Sequence, residues 1–144
     1  MKHSYFSRRL LSVFMAFALG LSVLLAKDFV VVIDAGHGGH DPGSLGSKAK
    51  EKNINLGVAL KLGRLIENNM QGVKVVYTRK KDVYLTLQER ANIANKVQGD
   101  LFISIHTNSL DKKSPNRRKV AGASTWTLGL HRSKENLEVA KREN

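Results

Sequence analysis

Three side chains that could bind a metal ion stand in distinct surroundings along this sequence. His37 lies in a glycine-rich segment, Glu51 begins a stretch with helical periodicity, and His106 follows a short apolar run. Two histidines and one carboxylate suit catalytic zinc, which keeps its fourth position for water. The chain contains no cysteine, so thiolate ligands and disulfides are excluded. One shared metal site therefore requires a fold that brings these three side chains together.

Each histidine follows a segment that is predicted to form a buried strand. These segments are Phe29–Ile33 and Leu101–Ile105, and Val73–Thr78 is a further predicted strand between them. The order strand–helix–strand–helix–strand predicts an α/β domain with a largely parallel sheet flanked by helices. Because the carboxyl ends of parallel strands lie at the same edge, His37 and His106 are predicted to meet there.

Two helices are predicted between these strands. From Glu51 onward, apolar residues recur at three- and four-residue spacing until Gly72, which ends the pattern. Thr86 and Glu89 have the spacing of a capping box, which predicts a second helix that runs to about Gln98.

The segment Asp34–Lys50 is predicted to be a long glycine-rich loop, which is uncommon unless the loop is functional. Asp34 has two interpretations: it orients a histidine ligand through a hydrogen bond, or it only ends the strand. His40 is predicted to be a solvated loop residue. Gly36 and Gly38 resemble the start of a dinucleotide-binding fingerprint, but Asp41 stands at the third glycine position, so this signal is weak.

The C-terminal part of the sequence predicts a solvated basic loop, a strand and the start of a helix. The loop is Lys112–Lys119, the fourth strand is Val120–Leu128, and the helix begins after Ser133. His131 is predicted to be a solvated residue. The chain ends at Asn144 inside this helix, so the last helix is expected to be incomplete and a final strand to be missing.

The N-terminal segment has the pattern of a secretory signal peptide. Residues 2–9 include three basic residues, and residues 10–26 include no charged residue. We predict a signal peptide over 1–26 with cleavage after Ala26; the alternative is an uncleaved anchor, because 17 residues approach the length that spans a bilayer. Either way, residues 27–144 are expected to be exported, to the periplasm or the extracellular space.

The net charge of +12 favours a polyanionic partner, which could be nucleic acid, anionic lipid or an acidic cell-wall polymer. Removal of 1–26 leaves 21 basic and 12 acidic residues, a charge of +9. A nucleic-acid partner is not predicted, because aromatic residues make up only 6% of the chain and no known nucleic-acid-binding module is recognised. The basic loop Lys112–Lys119 either attracts anionic wall polymer or is simply a solvated surface.

The sequence resembles the zinc-dependent N-acetylmuramoyl-L-alanine amidases of bacterial cell walls, of amidase type 3. Three segments that contain the candidate ligands carry the resemblance: Val32–Gly39, Glu51–Leu56 and Leu101–Asn108. Val76–Arg79 and Leu87–Asn92 also fall where the family has such segments. The resemblance runs from about Phe29 to the end of the chain, and 27–144 is expected to be the N-terminal and central part of the catalytic domain.

The resemblance implies one zinc ion, held by His37, Glu51 and His106. It also implies hydrolysis of the amide between N-acetylmuramic acid and L-alanine in peptidoglycan, for wall remodelling or daughter-cell separation. Asn108 is a candidate for substrate contact, and a regulatory protein partner is a further expectation. The family's general base is a later glutamate, which is expected to lie beyond Asn144, so no catalytic base is assigned.

Two alternatives to an active amidase remain at this stage. The first is a non-catalytic module that binds zinc or peptidoglycan and lacks the general-base glutamate. The second is a metallopeptidase-like enzyme that cuts peptide bonds and leaves the lactyl amide intact. Membrane attachment is expected only if the N-terminal segment is retained.

Overall fold

The computed structural model describes residues 27–109, 113–115 and 119–127. It contains three strands, which are β1 (Phe29–Ala35), β2 (Val73–Tyr77) and β3 (Leu101–Ile105). These three strands pair in parallel, and their order in the sheet is β2–β1–β3. Helix α1 (Glu51–Asn69) connects β1 to β2, and helix α2 (Leu87–Lys96) connects β2 to β3. The predicted parallel α/β fold is confirmed.

The central strand β1 forms the buried middle of the sheet. All of its residues after Phe29 are buried. A strand that is covered on both faces is expected to be continuously apolar, and Val30–Ile33 meets that expectation. Asp34 is the polar exception, and it is also buried.

One face of the sheet packs against α1. Asn55, Ala59 and Gly63, spaced by four residues, are buried along the helix. A β-carbon at Gly63 would overlap the hydroxyl of Tyr77, so glycine allows the helix to approach β2 closely. Val58 and Leu65 also fit the helical periodicity of the sequence, but both side chains are exposed.

Helix α2 lies toward the other face of β1, where Asp34 points. The predicted capping box is confirmed, since the Thr86 hydroxyl accepts from the Glu89 amide and the Glu89 carboxylate accepts from the Thr86 amide. The buried residue of this helix is Arg90 rather than an apolar side chain. The helix ends at Lys96, two residues before the predicted end.

Three predictions for strands differ from the structure, and the smallest difference is that β2 ends at Tyr77 rather than at Thr78. Strand β1 continues for two residues beyond Ile33, because Asp34 and Ala35 still pair with β3. The fourth strand is not formed in the part of its span that is described: residues 120–127 are exposed and have no strand assignment. These residues do not join the edge of the sheet beside β3.

Several predictions concern residues outside the described ranges. These are the signal peptide over 1–26, His131, the helix after Ser133, and part of the basic loop Lys112–Lys119. Among the described residues, none of the helices has the length and apolar composition that a membrane crossing requires.

Candidate metal centre

His37, Glu51 and His106 meet at the carboxyl edge of the sheet. One ligand atom from each of them lies within 4.8 Å of the others. The Glu51 carboxylate oxygen Oε1 is 3.3 Å from His37 Nε2 and 3.3 Å from His106 Nδ1. The two imidazole rings are nearly perpendicular, with centroids 4.9 Å apart. The predicted convergence of the three side chains is therefore present in the structure.

The turn after β1 holds His37 in a specific orientation. Its φ angle of 59° lies in the left-handed region, which histidine adopts more readily than most residues other than glycine. Its Nδ1 lies 2.8 Å from a carboxylate oxygen of Asp41. Burial opposes ionisation of Asp41, but the hydrogen bonds from His37 and Gly43 outweigh it and lower the pKa of Asp41. An ionised Asp41 accepts the Nδ1 proton, and Nε2 is then left with a free lone pair.

Glu51 is a buried carboxylate that is held by backbone amides. Oε2 accepts from the Ser44 amide at 2.9 Å, and Oε1 accepts from the Thr107 amide at 2.9 Å. The side chain of Asn55 donates to Oε1 at 3.3 Å. Burial raises the pKa of Glu51, but these hydrogen bonds and nearby His37 outweigh it, so the net pKa is lowered. The side chain is therefore ionised at neutral pH.

His106 is placed by the register of β3 against β1. Ile105 pairs with Ala35, and the Gly36 amide donates to the Ile105 carbonyl at 3.0 Å. His106 therefore emerges at the same level of the sheet as the turn that carries His37. Parallel pairing thus brings together two residues that are 69 positions apart in the sequence.

The donor set fits a metal ion, and so do the two separations that involve Glu51 Oε1. His37 Nε2 is buried and has no hydrogen-bond partner among the described residues, although it points toward the Glu51 carboxylate. Two ligands that are each about 2 Å from a tetrahedral ion are separated by about 3.3 Å, which matches both contacts of Glu51 Oε1. An uncompensated buried nitrogen is costly, and a cation would satisfy it.

The position of Asp34 in the structure agrees with neither interpretation drawn from the sequence. It lies inside β1, and its carboxylate accepts hydrogen bonds from the side chains of Thr78, Arg90 and Ser104. Ser104 is two residues before His106, so Asp34 is linked to the site through the body of β3.

The other candidates lie at the periphery. Asn108 is exposed and donates to the Ser124 hydroxyl at 3.2 Å. His40 is exposed, as predicted, and its ring packs against that of Tyr84 with centroids 4.0 Å apart.

Four residues around the site were not singled out from the sequence. They are Asp41, Asn55, Arg79 and Arg90, which bond to the ligand residues or to the backbone beside them. Arg90 had a usable signal, because with Leu87, Ala94 and Val97 it falls on the face where the helix pattern calls for an apolar residue. Asp41 had a weaker one, an acidic residue four positions after a histidine in a tight turn.

The parallel sheet flanked by helices, with a His–Glu–His cluster at its carboxyl edge, makes this protein an α/β domain with a candidate metal centre. The profile of the family described as N-acetylmuramoyl-L-alanine amidase matches residues 31–143. The chain belongs to the N-acetylmuramoyl-L-alanine amidase family, as the sequence motifs predicted.

Individual relatives agree with this assignment. N-acetylmuramoyl-L-alanine amidase AmiC of Escherichia coli is 38% identical over 100 residues, which are 69% of this chain and 24% of the relative. The catalytic domain of CwlV, an N-acetylmuramoyl-L-alanine amidase from Bacillus (Paenibacillus) polymyxa, has a TM-score of 0.54 and 43% identity. That match covers 56% of this chain and 46% of CwlV's.

A further solved structure is an N-acetylmuramoyl-L-alanine amidase from Clostridium difficile, with a TM-score of 0.57 and 36% identity. It is matched over 61% of this chain and 47% of its own. The chain spans less than half the length of the curated relatives that it matches.

Proposed function

We propose that this chain hydrolyses the amide between N-acetylmuramic acid and L-alanine in peptidoglycan, with one zinc ion held by His37, Glu51 and His106. The observation that carries the proposal is the meeting of these three side chains within 4.8 Å at one edge of the sheet. Membership of the amidase family supports the choice of substrate and reaction.

The residues of the site have distinct tasks in this reaction. Bound zinc would polarise the scissile carbonyl and lower the pKa of a water molecule toward about 7. Asp41 keeps the Nδ1 proton on His37, so that Nε2 remains available to the metal. The amides of Ser44 and Thr107 hold the Glu51 carboxylate ionised and in one orientation.

A general base is not assigned among the described residues. The two acidic side chains nearest the histidines already have other roles: Glu51 is a candidate metal ligand, and Asp41 bonds to His37. A glutamate beyond Asn144 as the base stays a prediction from the family resemblance. Substrate contact by Asn108 also stays a prediction; its exposed position two residues after His106 is compatible with it.

The cellular setting follows from the substrate. Peptidoglycan lies outside the cytoplasmic membrane, so the protein must be exported, which agrees with the signal-peptide pattern over 1–26. The net positive charge favours association with an anionic cell wall. A role in wall remodelling or daughter-cell separation, and regulation by a partner protein, are further parts of the proposal.

The test is the release of stem peptides from purified peptidoglycan by the 144-residue chain in mild detergent, followed by mass spectrometry. We expect free stem peptides with an L-alanine amino terminus, loss of release with a chelator, and recovery with added zinc. His37→Ala serves as the inactive control, and His40→Ala serves as the matched control that retains activity.

Other outcomes distinguish the alternatives. Binding of zinc and peptidoglycan without release of peptide would contradict hydrolysis by the 144-residue chain, and would indicate either a binding module or a catalytic base beyond Asn144. Release of peptides cut within the stem, with the lactyl amide intact, would indicate a metallopeptidase instead.

A further inference from the structure

Arg79 is a buried arginine that connects the two segments carrying His37 and Glu51. Only 3% of its surface is exposed. Its Nε donates to the Ala35 carbonyl at 2.8 Å, and its Nη2 donates to the carbonyls of Gly36 and Lys52, both at 2.9 Å. One guanidinium group therefore bonds to the backbone beside His37 and to the backbone beside Glu51.

These hydrogen bonds are important for the candidate metal site because the acceptor carbonyls lie next to two of the candidate ligands. Gly36 immediately precedes His37, and Lys52 immediately follows Glu51. The donors of a guanidinium group lie in one rigid plane, so the two carbonyls that share Nη2 have fixed relative positions. Arg79 therefore links the His37 turn directly to the first turn of α1.

Arg90, which belongs to helix α2, bonds to the same turn. Its Nη2 donates to the His37 carbonyl at 3.0 Å, and its Nη1 donates to the Ala35 carbonyl at 2.8 Å. Nη1 also pairs with the Asp34 carboxylate at 2.6 Å. Three successive carbonyls, at positions 35, 36 and 37, thus accept hydrogen bonds from the two arginines.

Asp34 extends this network to the third candidate ligand. Its second carboxylate oxygen accepts from the Ser104 hydroxyl at 2.9 Å, in the strand that delivers His106. Asp34 also supplies a negative charge beside the two buried guanidinium groups. The backbone segments that carry all three candidate ligands therefore belong to one hydrogen-bond network.

On the basis of the proposed metal-dependent function, we propose that Arg79 and Arg90 are positioning residues of the metal site. They hold the backbone that carries His37 at a fixed distance from Glu51, and they thereby set the affinity and coordination geometry of the metal. Neither side chain is a ligand, and neither needs to touch the substrate for this role.

Conservative replacement by lysine tests the role of the guanidinium fork. Lysine keeps the positive charge but presents its donors from a single nitrogen, so it cannot span the same carbonyls. We expect Arg79→Lys and Arg90→Lys each to weaken zinc affinity by about 10- to 100-fold, as is typical when support of metal ligands is lost. Zinc affinity is measured on the 144-residue chain in mild detergent, by competition with a fluorescent chelator. Arg64→Lys, at an exposed position of α1, is the matched control and should bind as the wild type does.

A second readout separates positioning from general stability. Visible absorption of the Co²⁺-loaded protein reports coordination geometry. We expect both site variants to change this spectrum while their far-UV circular dichroism matches that of Arg64→Lys and their thermal unfolding stays cooperative, at a lower midpoint because buried hydrogen bonds are lost.

Each remaining outcome is decisive. Wild-type zinc affinity and an unchanged Co²⁺ spectrum in a folded Arg79→Lys or Arg90→Lys protein would overturn the positioning role of that arginine. If one variant fails to fold, the other decides. Failure of both to fold would assign the arginines to the fold rather than to the site. Absence of zinc binding by the wild type would instead refute the proposed function itself, and the inference with it.

Discussion

The imidazole ring of His106 occupies the space into which a β-carbon at Gly36 would project. A β-carbon built at position 36 would overlap three atoms of that ring. Gly36 does not adopt a positive φ angle, so glycine is needed here for space rather than for backbone conformation. The closeness of the two parallel strands at this edge thus depends on the absence of a side chain beside His106.

Replacement of Gly36 by alanine is therefore expected to displace the His106 ring and to weaken zinc affinity strongly. The backbone conformation allows alanine, so the effect should come from the ring overlap alone. Calorimetric zinc titration would measure it. Gly57→Ala is the matched control: nothing lies within 4 Å of a β-carbon at this exposed position of α1, so zinc binding should persist. The control should even stabilise the helix by about 0.5–1 kcal/mol. Unchanged zinc affinity in Gly36→Ala would show that the ring can move without loss of the site.

Removal of either histidine of the cluster is expected to abolish zinc retention. A site with three protein ligands loses a third of its donors in His37→Ala or His106→Ala. Metal content after gel filtration, measured by mass spectrometry, reports the loss. His40→Ala should retain a full equivalent of zinc, because His40 stacks on Tyr84 outside the cluster. A full zinc equivalent in either site variant would remove that histidine from the ligand set.

Replacement of Asp41 by asparagine is expected to weaken zinc binding by about 10- to 100-fold, which is the typical effect of losing a carboxylate that orients a histidine ligand. The neutral amide accepts the Nδ1 proton of His37 more weakly, so His37 is less firmly held. Zinc competition with a chelator measures the change. Asp28→Asn, at an exposed position before β1, is the control with the same chemical change. Equal zinc affinity in both variants would mean that the Asp41 contact does not support the site.

The capping box of α2 is expected to make stability depend on pH. The amide and hydroxyl of Thr86 lower the pKa of Glu89 below its usual value of 4.5. A lowered folded-state pKa gives a contribution that is fully present above about pH 4.5 and is lost as the pH falls through the lower folded value. The difference in thermal midpoint between the wild type and Glu89→Gln should therefore shrink as the pH is lowered from 6 to 3. In a Thr86→Ala background the same comparison should show a smaller dependence on pH, because the hydroxyl bond is lost while the backbone amide of residue 86 still donates to Glu89. An undiminished dependence would indicate that the hydroxyl does not contribute.

The sequence predicted the fold well where one physical signal dominated. The apolar runs before His37 and His106 predicted β1 and β3, and the Thr86–Glu89 spacing predicted the start of α2. It predicted the fourth strand wrongly over 120–127, because local β-propensity does not provide a pairing partner. Val58 and Leu65 fit the helical periodicity but are exposed, because periodicity does not show how much of a helix surface the sheet covers.

The candidate ligands could be predicted from the sequence, but the residues that hold them in position could not. His37 and His106 stood out because each follows a predicted strand, and parallel topology predicted that the two histidines meet. The family resemblance added Glu51 to the ligand set. Arg79, Arg90 and Asn55 act through backbone carbonyls and a carboxylate. Hydrogen bonds to backbone carbonyls do not depend on the side chain of the acceptor residue, so no pattern of residue types reveals them.

The sequence by itself determined the order of elements, the parallel sheet and the identity of the three candidate ligands. The order of elements and the sheet depend on local periodicity, on glycine and capping signals, and on the shared edge of parallel strands. The set of three ligands depends also on the motifs that resemble the amidase family. Only the tertiary structure decided that Asp41 orients His37, that Gly36 makes room for His106, and that two arginines hold the turn between them. Such contacts depend on distances of a few tenths of an ångström between segments far apart in the chain, and those distances exist only once the sheet and helices have packed.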